Sequence, residues 1–220
     1  MKSELLKRIL SSIILIPLAI YFIIKGSFFL IFFLSILFLA SSYEWYQMSK
    51  KKIYFIPGIL FLLLSFISAY LVRNIYGAVF FLMPIVICVF TDLGGYIFGK
   101  IFKGPKLTKI SPNKTYSGMF GGFLLSIITF TFFIENIEIF GLVNEFKDYQ
   151  MKLNDFIYIL IVSLISQLGD LIISYFKRKS KIKNTGNFLP GHGGILDRID
   201  GIIFVVPIIY LALTFIKWKK

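Results

Sequence analysis

Residues 76–98, YGAVFFLMPIVICVFTDLGGYIF, decide the fold class. The run is apolar over the roughly 20 residues that cross about 30 Å of hydrocarbon, yet it carries a carboxylate, Asp92. Outward from it, runs of the same kind occupy 9–24, 27–43, 53–72, 116–134, 155–176 and 201–216. The expected fold is all-α, a polytopic integral membrane protein of about seven transmembrane helices. Composition agrees: 57% of the 220 residues are hydrophobic, 26 are Phe, and only 16% are charged. Soluble domains hold about 45–50% apolar and about 25% charged residues. A soluble globule of this size has no place for so much Phe, Ile and Leu, which excludes a disordered chain, a fibre and an ordinary soluble enzyme. The single Cys88 excludes a disulfide framework and any multi-cysteine metal centre. The first run follows Lys2, Lys7 and Arg8 and imitates a signal peptide, but no small-residue cleavage site follows and another apolar run begins at once. It reads as a retained first helix.

The chain has 24 basic and 11 acidic residues, a formal charge of +13. In a soluble domain that excess points to nucleic acid; in a membrane protein its distribution over the loops decides. Lys and Arg gather in alternate connections: the N-terminus, then Lys50, Lys51 and Lys52, then Lys100, Lys103, Lys106, Lys109 and Lys114, then Lys177, Arg178, Lys179, Lys181, Lys183 and Arg198. The positive-inside rule places these segments, and with them the N-terminus, in the cytoplasm. The tail, Lys217, Lys219 and Lys220, runs against that rule under a seven-span count. The outer segment 135–155 has room for an interfacial helix. No internal repeat or separable soluble domain is visible. Residues 1–75 are expected to be transmembrane packing, and 76–220 the catalytic region with two basic cytoplasmic loops. The partner these features imply is the lipid bilayer and not nucleic acid.

Ionisable groups inside a bilayer cost several kcal/mol and mark functional positions by default. Asp92 and Asp170 each lie about two turns from the cytoplasmic end of their spans, and Asp197 and Asp200 lie just before the last span. These carboxylates therefore share one level, beside the two most basic loops. Ser163, Gln167, Asp170, Ser174 and Lys177 recur at helical spacing as one polar face. Ser163 and Gln167 read more readily as helix–helix glue than as ligands. Gly95 and Gly99, beside Asp92 and Tyr96, permit close backbone approach.

The sixth connection runs from Lys177-Arg178-Lys179 through Lys183-Asn184-Thr185-Gly186 and Leu189-Pro190-Gly191-His192-Gly193-Gly194 to Asp197-Arg198-Ile199-Asp200-Gly201. Arg offers a bidentate fork to phosphate and Lys a point charge. The glycines around His192, including Gly193 and Gly194, let backbone N–H groups turn toward an anion. Asp197 and Asp200 offer oxygen ligands to a hard divalent cation, and phosphates nearby favour Mg²⁺. His192 is open to two readings, catalytic base or loop brace. In the fourth connection, Ser111-Pro112-Asn113-Lys114-Thr115 joins hydroxyls and a lysine to the start of the fifth span. Anion binding at that helix start and plain helix capping by Ser111 or Thr115 are both open.

Residues 174–200 closely resemble the signature of the phosphatidate cytidylyltransferases, the CDP-diacylglycerol synthases. Ser174, Phe176, Lys177, Arg178, Lys183, Pro190, Gly191, His192, Gly193, Gly194, Asp197, Arg198 and Asp200 match at the same spacing. Leu168-Gly169-Asp170, the segment from Thr91-Asp92 to Gly99, and Ser111-Pro112 through Lys114-Thr115 to Gly118 resemble further family segments, so the similarity covers roughly 88–210. One departure is Asn184, where the family pattern has Asp; Asn keeps an acceptor oxygen but ligates more weakly than a carboxylate.

The resemblance implies an enzyme that transfers the CMP moiety of CTP to the phosphate of phosphatidic acid, with CTP and phosphatidic acid as substrates. It implies Mg²⁺, with K⁺ beside it, an active site facing the cytoplasm at a bacterial plasma membrane, and room for a homodimer. On this reading Asp170 and Asp197 hold Mg²⁺ with Asp200 in the same cluster, and Asp92 is a further ligand or the partner of a lysine. Asp170, Asp197, Asp200, His192, Lys177 and Arg178 form the catalytic set. Lys183, Arg198, Ser111, Lys114, Thr115, Ser174, Gly193 and Gly194 bind substrate. Two other classes fit the residues less well. A CDP-alcohol phosphotransferase needs a D-G-x2-A-R run, which the chain lacks. A transporter places its polar site near the bilayer midplane between repeats, whereas these carboxylates lie near one surface.

Overall fold

The computed structural model of the chain describes residues 2–136, 151–188 and 193–218. The helices are α1 (Lys2–Lys25), α2 (Ser27–Ser49), α3 (Phe55–Leu71), α4 (Ala78–Phe102), α5 (Tyr116–Glu135), α6 (Leu153–Lys179), the short α7 (Leu196–Ile199) and α8 (Ile202–Trp218). One π-helical turn, Val72–Tyr76, prolongs α3. Among the described residues the sole extended pairing is an isolated bridge between Lys106 and Thr115. The all-α membrane architecture expected from hydropathy is the one observed. Most of the segment expected to hold an interfacial helix, 137–150, lies outside the described residues.

Among the described residues, five helices are long and apolar enough to cross a bilayer: α2, α3 with its π turn, α4, α5 and α6. Shorter apolar helical stretches among the described residues are Leu15–Lys25 of α1 and Ile202–Phe215 of α8. The outer faces are apolar, as a lipid solvent requires. Leu124, Ile128 and Phe132 line one exposed stripe of α5, and Leu160, Leu164 and Leu168 one of α6.

Successive helices alternate in direction, so the polar connections gather at two ends. The end without the candidate site is closed by tight reversals at Gly26 (φ 66°) and Gly77 (φ 95°), a left-handed backbone that favours glycine. Arg73 completes that end, donating from Nε to the Ile23 carbonyl at 2.6 Å and from a terminal nitrogen to that of Ile24 at 2.7 Å. These are carbonyls that the end of α1 leaves without helical partners.

Two apolar clusters fill the middle of the bundle. One joins Met83 and Ile87 of α4 to Phe130, Ile159, Val162 and Val205; the other joins Leu30, Leu34, Ala69, Phe81 and Val206. A third, Trp45, Met48, Leu62, Ile173, Leu196 and Ile203, lies toward the basic end. Helices α4 and α5 approach most closely through glycines. A Cβ on Gly118 would lie 2.6 Å from the Gly95 carbonyl oxygen, and one on Gly122 would lie 2.9 Å from that of Thr91. Across the α4–α6 contact, the Thr91 hydroxyl donates to Ser163 Oγ at 2.8 Å, so the buried Ser163 is the helix–helix glue expected of it.

This close contact gives a stability prediction. Gly118→Ala forces overpacking against a backbone atom and is expected to cost about 1–3 kcal/mol, read as a lower thermal unfolding midpoint of the detergent-solubilised protein.

Candidate active site

Three helices converge on a polar pocket at the basic end. The connection 103–115 leaves α4 and folds back: Leu107 N–H donates to the Lys114 carbonyl at 2.8 Å and Tyr116 N–H to that of Pro105 at 3.2 Å. Thr115 is the N-cap of α5, its hydroxyl accepting from Gly118 N–H at 3.1 Å. Capping is thus what the structure shows for Thr115. A cap at 115 pins Lys114 at the mouth of the cavity. That cavity, about 290 Å³, is lined by Asp92 and Tyr96 of α4, Ser111, Lys114 and Thr115 of the connection, and Gln167 and Asp170 of α6.

Lys114 Nζ lies 2.5 Å from Asp170 Oδ2. The Ser174 hydroxyl, one turn along α6, donates to the other Asp170 oxygen at 3.2 Å. Asp92 and Asp200 are near enough to act on Asp170 electrostatically. Asp200 is 7% exposed. Its burial, followed by the charge of Asp170, pushes its carboxyl well above the usual carboxylate range. Arg198 lies within electrostatic reach of Asp92.

Asp197 forms a second centre. One of its oxygens accepts from Lys177 Nζ at 2.8 Å. The other accepts from Thr185 N–H at 2.9 Å and Gly194 N–H at 3.1 Å. Lys177 is buried, and its charge also acts on Asp170 and Asp200, so it links the two centres. The expected metal set of Asp92, Asp170 and Asp197 is therefore not assembled as one group. Among the described residues no three His, Cys, Asp or Glu side chains meet as a metal-holding cluster. The physical reason is that both oxygens of Asp197 are occupied in holding the loop.

The remaining expected residues fall around these centres. Arg178 and Lys183 are exposed and stand outside the pocket lining, Arg178 donating to the Ile182 carbonyl at 3.3 Å. Gly193 adopts φ 88°, and a Cβ there would lie 3.2 Å from Asp197. His192, with Leu189, Pro190 and Gly191, lies outside the described residues.

Sequence reasoning missed Glu44. Ending the second span at residue 43 put Glu44 in a loop; in the structure α2 continues to Ser49 and Glu44 is 1% exposed. Its oxygens accept from the Thr185 hydroxyl, Ile195 N–H and Leu196 N–H, each at 2.8 Å. A signal was available. Glu44 is the one charged residue between Ser27 and Ser49, and a lone carboxylate in an apolar run is a functional candidate.

The Lys114–Asp170 pair gives a prediction independent of any reaction. In a double-mutant cycle of Lys114→Met and Asp170→Asn, thermal stability is expected to show a coupling of about 0.5–3 kcal/mol. Lys114→Met alone is the costlier change, because it leaves Asp170 beside Asp92 and Asp200 without its cation.

Comparison with known proteins puts this arrangement in context. Residues 59–216 match the model of the cytidylyltransferase family. The chain is similar to phosphatidate cytidylyltransferases of Rickettsia bellii (38% identical, covering 95% of this chain and 90% of that protein) and Rickettsia conorii (38%, covering 96% and 91%). It is also similar to one of Bacillus subtilis, 39% identical over 65% of this chain and 51% of that protein. The matched stretch carries the three helices and the connection that line the pocket, together with Asp197 and Asp200, and on that ground the chain belongs to the cytidylyltransferase family and is a nucleotidyltransferase.

Proposed function

We propose that the enzyme transfers CMP from CTP to the phosphate of phosphatidic acid, giving CDP-diacylglycerol and pyrophosphate, at the cytoplasmic face of a bacterial membrane. The observation that carries this reading is the Lys114–Asp170 pair, backed by Asp92 and Asp200, at the end of an apolar bundle where the basic loops gather. A lipid phosphate resides at that depth, and a nucleotide arrives from water. The names of the Rickettsia and Bacillus relatives support the same substrates.

In the reaction a phosphate oxygen of phosphatidic acid attacks the α-phosphorus of CTP. The bond to the β-phosphate breaks and pyrophosphate leaves. Such transfers ask the protein mainly for positioning and neutralisation of charge. Lys114 exchanges Asp170 for a substrate phosphate, a swap between two anions that leaves the ammonium paired throughout. Lys177 and Arg198 add positive charge from α6 and the start of the last span, and the held Gly194 N–H keeps the glycine turn in register with them. Arg178 and Lys183, exposed at the rim, draw the nucleotide in.

Mg²⁺ fits the residues present. Asp170, half-buried, and Asp200, buried, are neighbouring carboxylates, an all-oxygen donor pair, and Mg²⁺ is typically bound by one or two carboxylates plus substrate phosphates. Asp170 and Asp200 would hold it, and Asp92 stands next to them. Bound there, it would neutralise phosphate charge that the lysines leave uncompensated.

The test is an assay of the full chain in detergent with CTP and phosphatidic acid, following CDP-diacylglycerol with and without Mg²⁺. Product is expected only with Mg²⁺, and Asp170→Asn is expected to lower kcat by about 100-fold or more. Folded wild-type protein that makes no product under these conditions overturns the reading. Sidedness has its own check. Lys109→Cys lies on the exposed connection while Cys88 is buried, so a membrane-impermeant maleimide is expected to label the variant in inverted vesicles and not in intact cells.

A further inference from the structure

Glu44 belongs to a part of the chain that no functional reading so far includes. It lies before residue 59, where the family match begins, and in the region expected only to pack. Yet it is the most buried carboxylate in contact with the glycine-rich loop, and each of its bonds goes to that loop. Ile195 and Leu196 begin α7, and their N–H groups are donors that a helix start leaves without helical partners. Glu44 satisfies both, and its third donor, the Thr185 hydroxyl, belongs to the residue whose N–H is held by Asp197. The loop is thus pinned at one residue by two carboxylates from different helices. Its glycines are shaped to this contact: a Cβ on Gly186 would lie 2.7 Å from one Glu44 oxygen, and one on Gly194 would lie 2.5 Å from the other.

The rest of the α2 terminus supports the same grip. The Ser180 hydroxyl, just past α6, donates to the Met48 carbonyl at 2.8 Å. Trp45 Nε1 donates to the Phe55 carbonyl at 3.0 Å, and its ring packs on Phe176. A carboxylate in this position is expensive unless every acceptor finds a donor. A merely structural contact between apolar helices would be met more cheaply by a hydrophobic side chain.

We propose that Glu44 is a positioning residue for the transferase reaction: it holds Thr185, Ile195 and Leu196, and through Thr185 and Gly194 it keeps Asp197 and its partner Lys177 in place beside Asp170. This makes α2 part of the catalytic unit. The inference rests on the reading of that pocket as the site of nucleotidyl transfer. It acts through the loop, and no contact between Glu44 and substrate is implied.

The experiment compares full-length wild type with Glu44→Gln, which keeps the volume but replaces one acceptor oxygen with an NH₂ donor. Two loop-side variants, Thr185→Val and Thr185→Ser, leave α2 untouched. Amide hydrogen exchange at Ile195 and Leu196 is expected to be about 10- to 100-fold faster in Glu44→Gln, with exchange in α4 and α5 unchanged. Per folded molecule, kcat for CDP-diacylglycerol formation is expected to fall about 100-fold, as misplacement of a positioned group does. Thr185→Val is expected to reproduce part of both effects and Thr185→Ser to reverse them, which a general loss of folded protein would not do. If Glu44→Gln does not fold, the Thr185 pair decides by the same readouts. Wild-type kcat in folded Glu44→Gln, or unchanged exchange at 195–196, overturns the proposal. A wild type that makes no product sinks the functional reading, while the exchange data still judge the grip of Glu44 on the loop.

Discussion

A carboxylate removed from water must find a cation, a set of N–H or O–H donors, or a proton, and the basic end of this bundle is organised by that requirement. Each solution is used. Asp170 has Lys114 and the Ser174 hydroxyl, while Asp197 has Lys177 and two backbone amides. Glu44 relies on donors alone, and Asp200 is pushed toward its protonated form by burial and by the charge of Asp170. Because these partners come from different helices, satisfying the charges also sets where α2, α5, α6 and the two connections stand relative to one another. The desolvation cost of a charge, several kcal/mol, is larger than any single apolar contact near it, so the polar end dictates register and the apolar middle accommodates.

The apolar middle has its own constraint. With lipid on the outside there is little hydrophobic drive to bring helices together, and close packing has to do it. The glycine contacts of α4 and α5 let two backbones meet nearly directly. That approach brings Asp92 on one helix and the Thr115 cap of the other to the same cavity. The function of the glycines is thus indirect: they set the width of the pocket, and the charges line it.

Much of this was legible beforehand. The helical class and the shared level of Asp92 and Asp170 follow from hydropathy and from spacing along a helix, both local properties. The pocket residues Ser111, Lys114, Thr115 and Asp170 were singled out because unusual residue types stood next to long apolar runs. What the residues alone leave open depends on contacts between distant parts of the chain. Asp197 and Asp200, three residues apart, suit a cation, and the structure adds that the Asp197 oxygens accept from Lys177, Thr185 and Gly194. Thr115 was balanced between cap and ligand, and the geometry shows the cap.

Glu44 marks the boundary most clearly. Its sequence neighbourhood, Tyr43 and Trp45 at the end of an apolar run, is ordinary for a membrane interface, and its partners lie at 185, 195 and 196. No periodicity connects them. The sequence by itself determined that the chain is a bundle of membrane helices with its carboxylates and cations at one end, because hydropathy and residue spacing act along the chain. Only the tertiary structure decided which carboxylate faces which donor, because those pairings bridge segments far apart in sequence and form only once the helices pack.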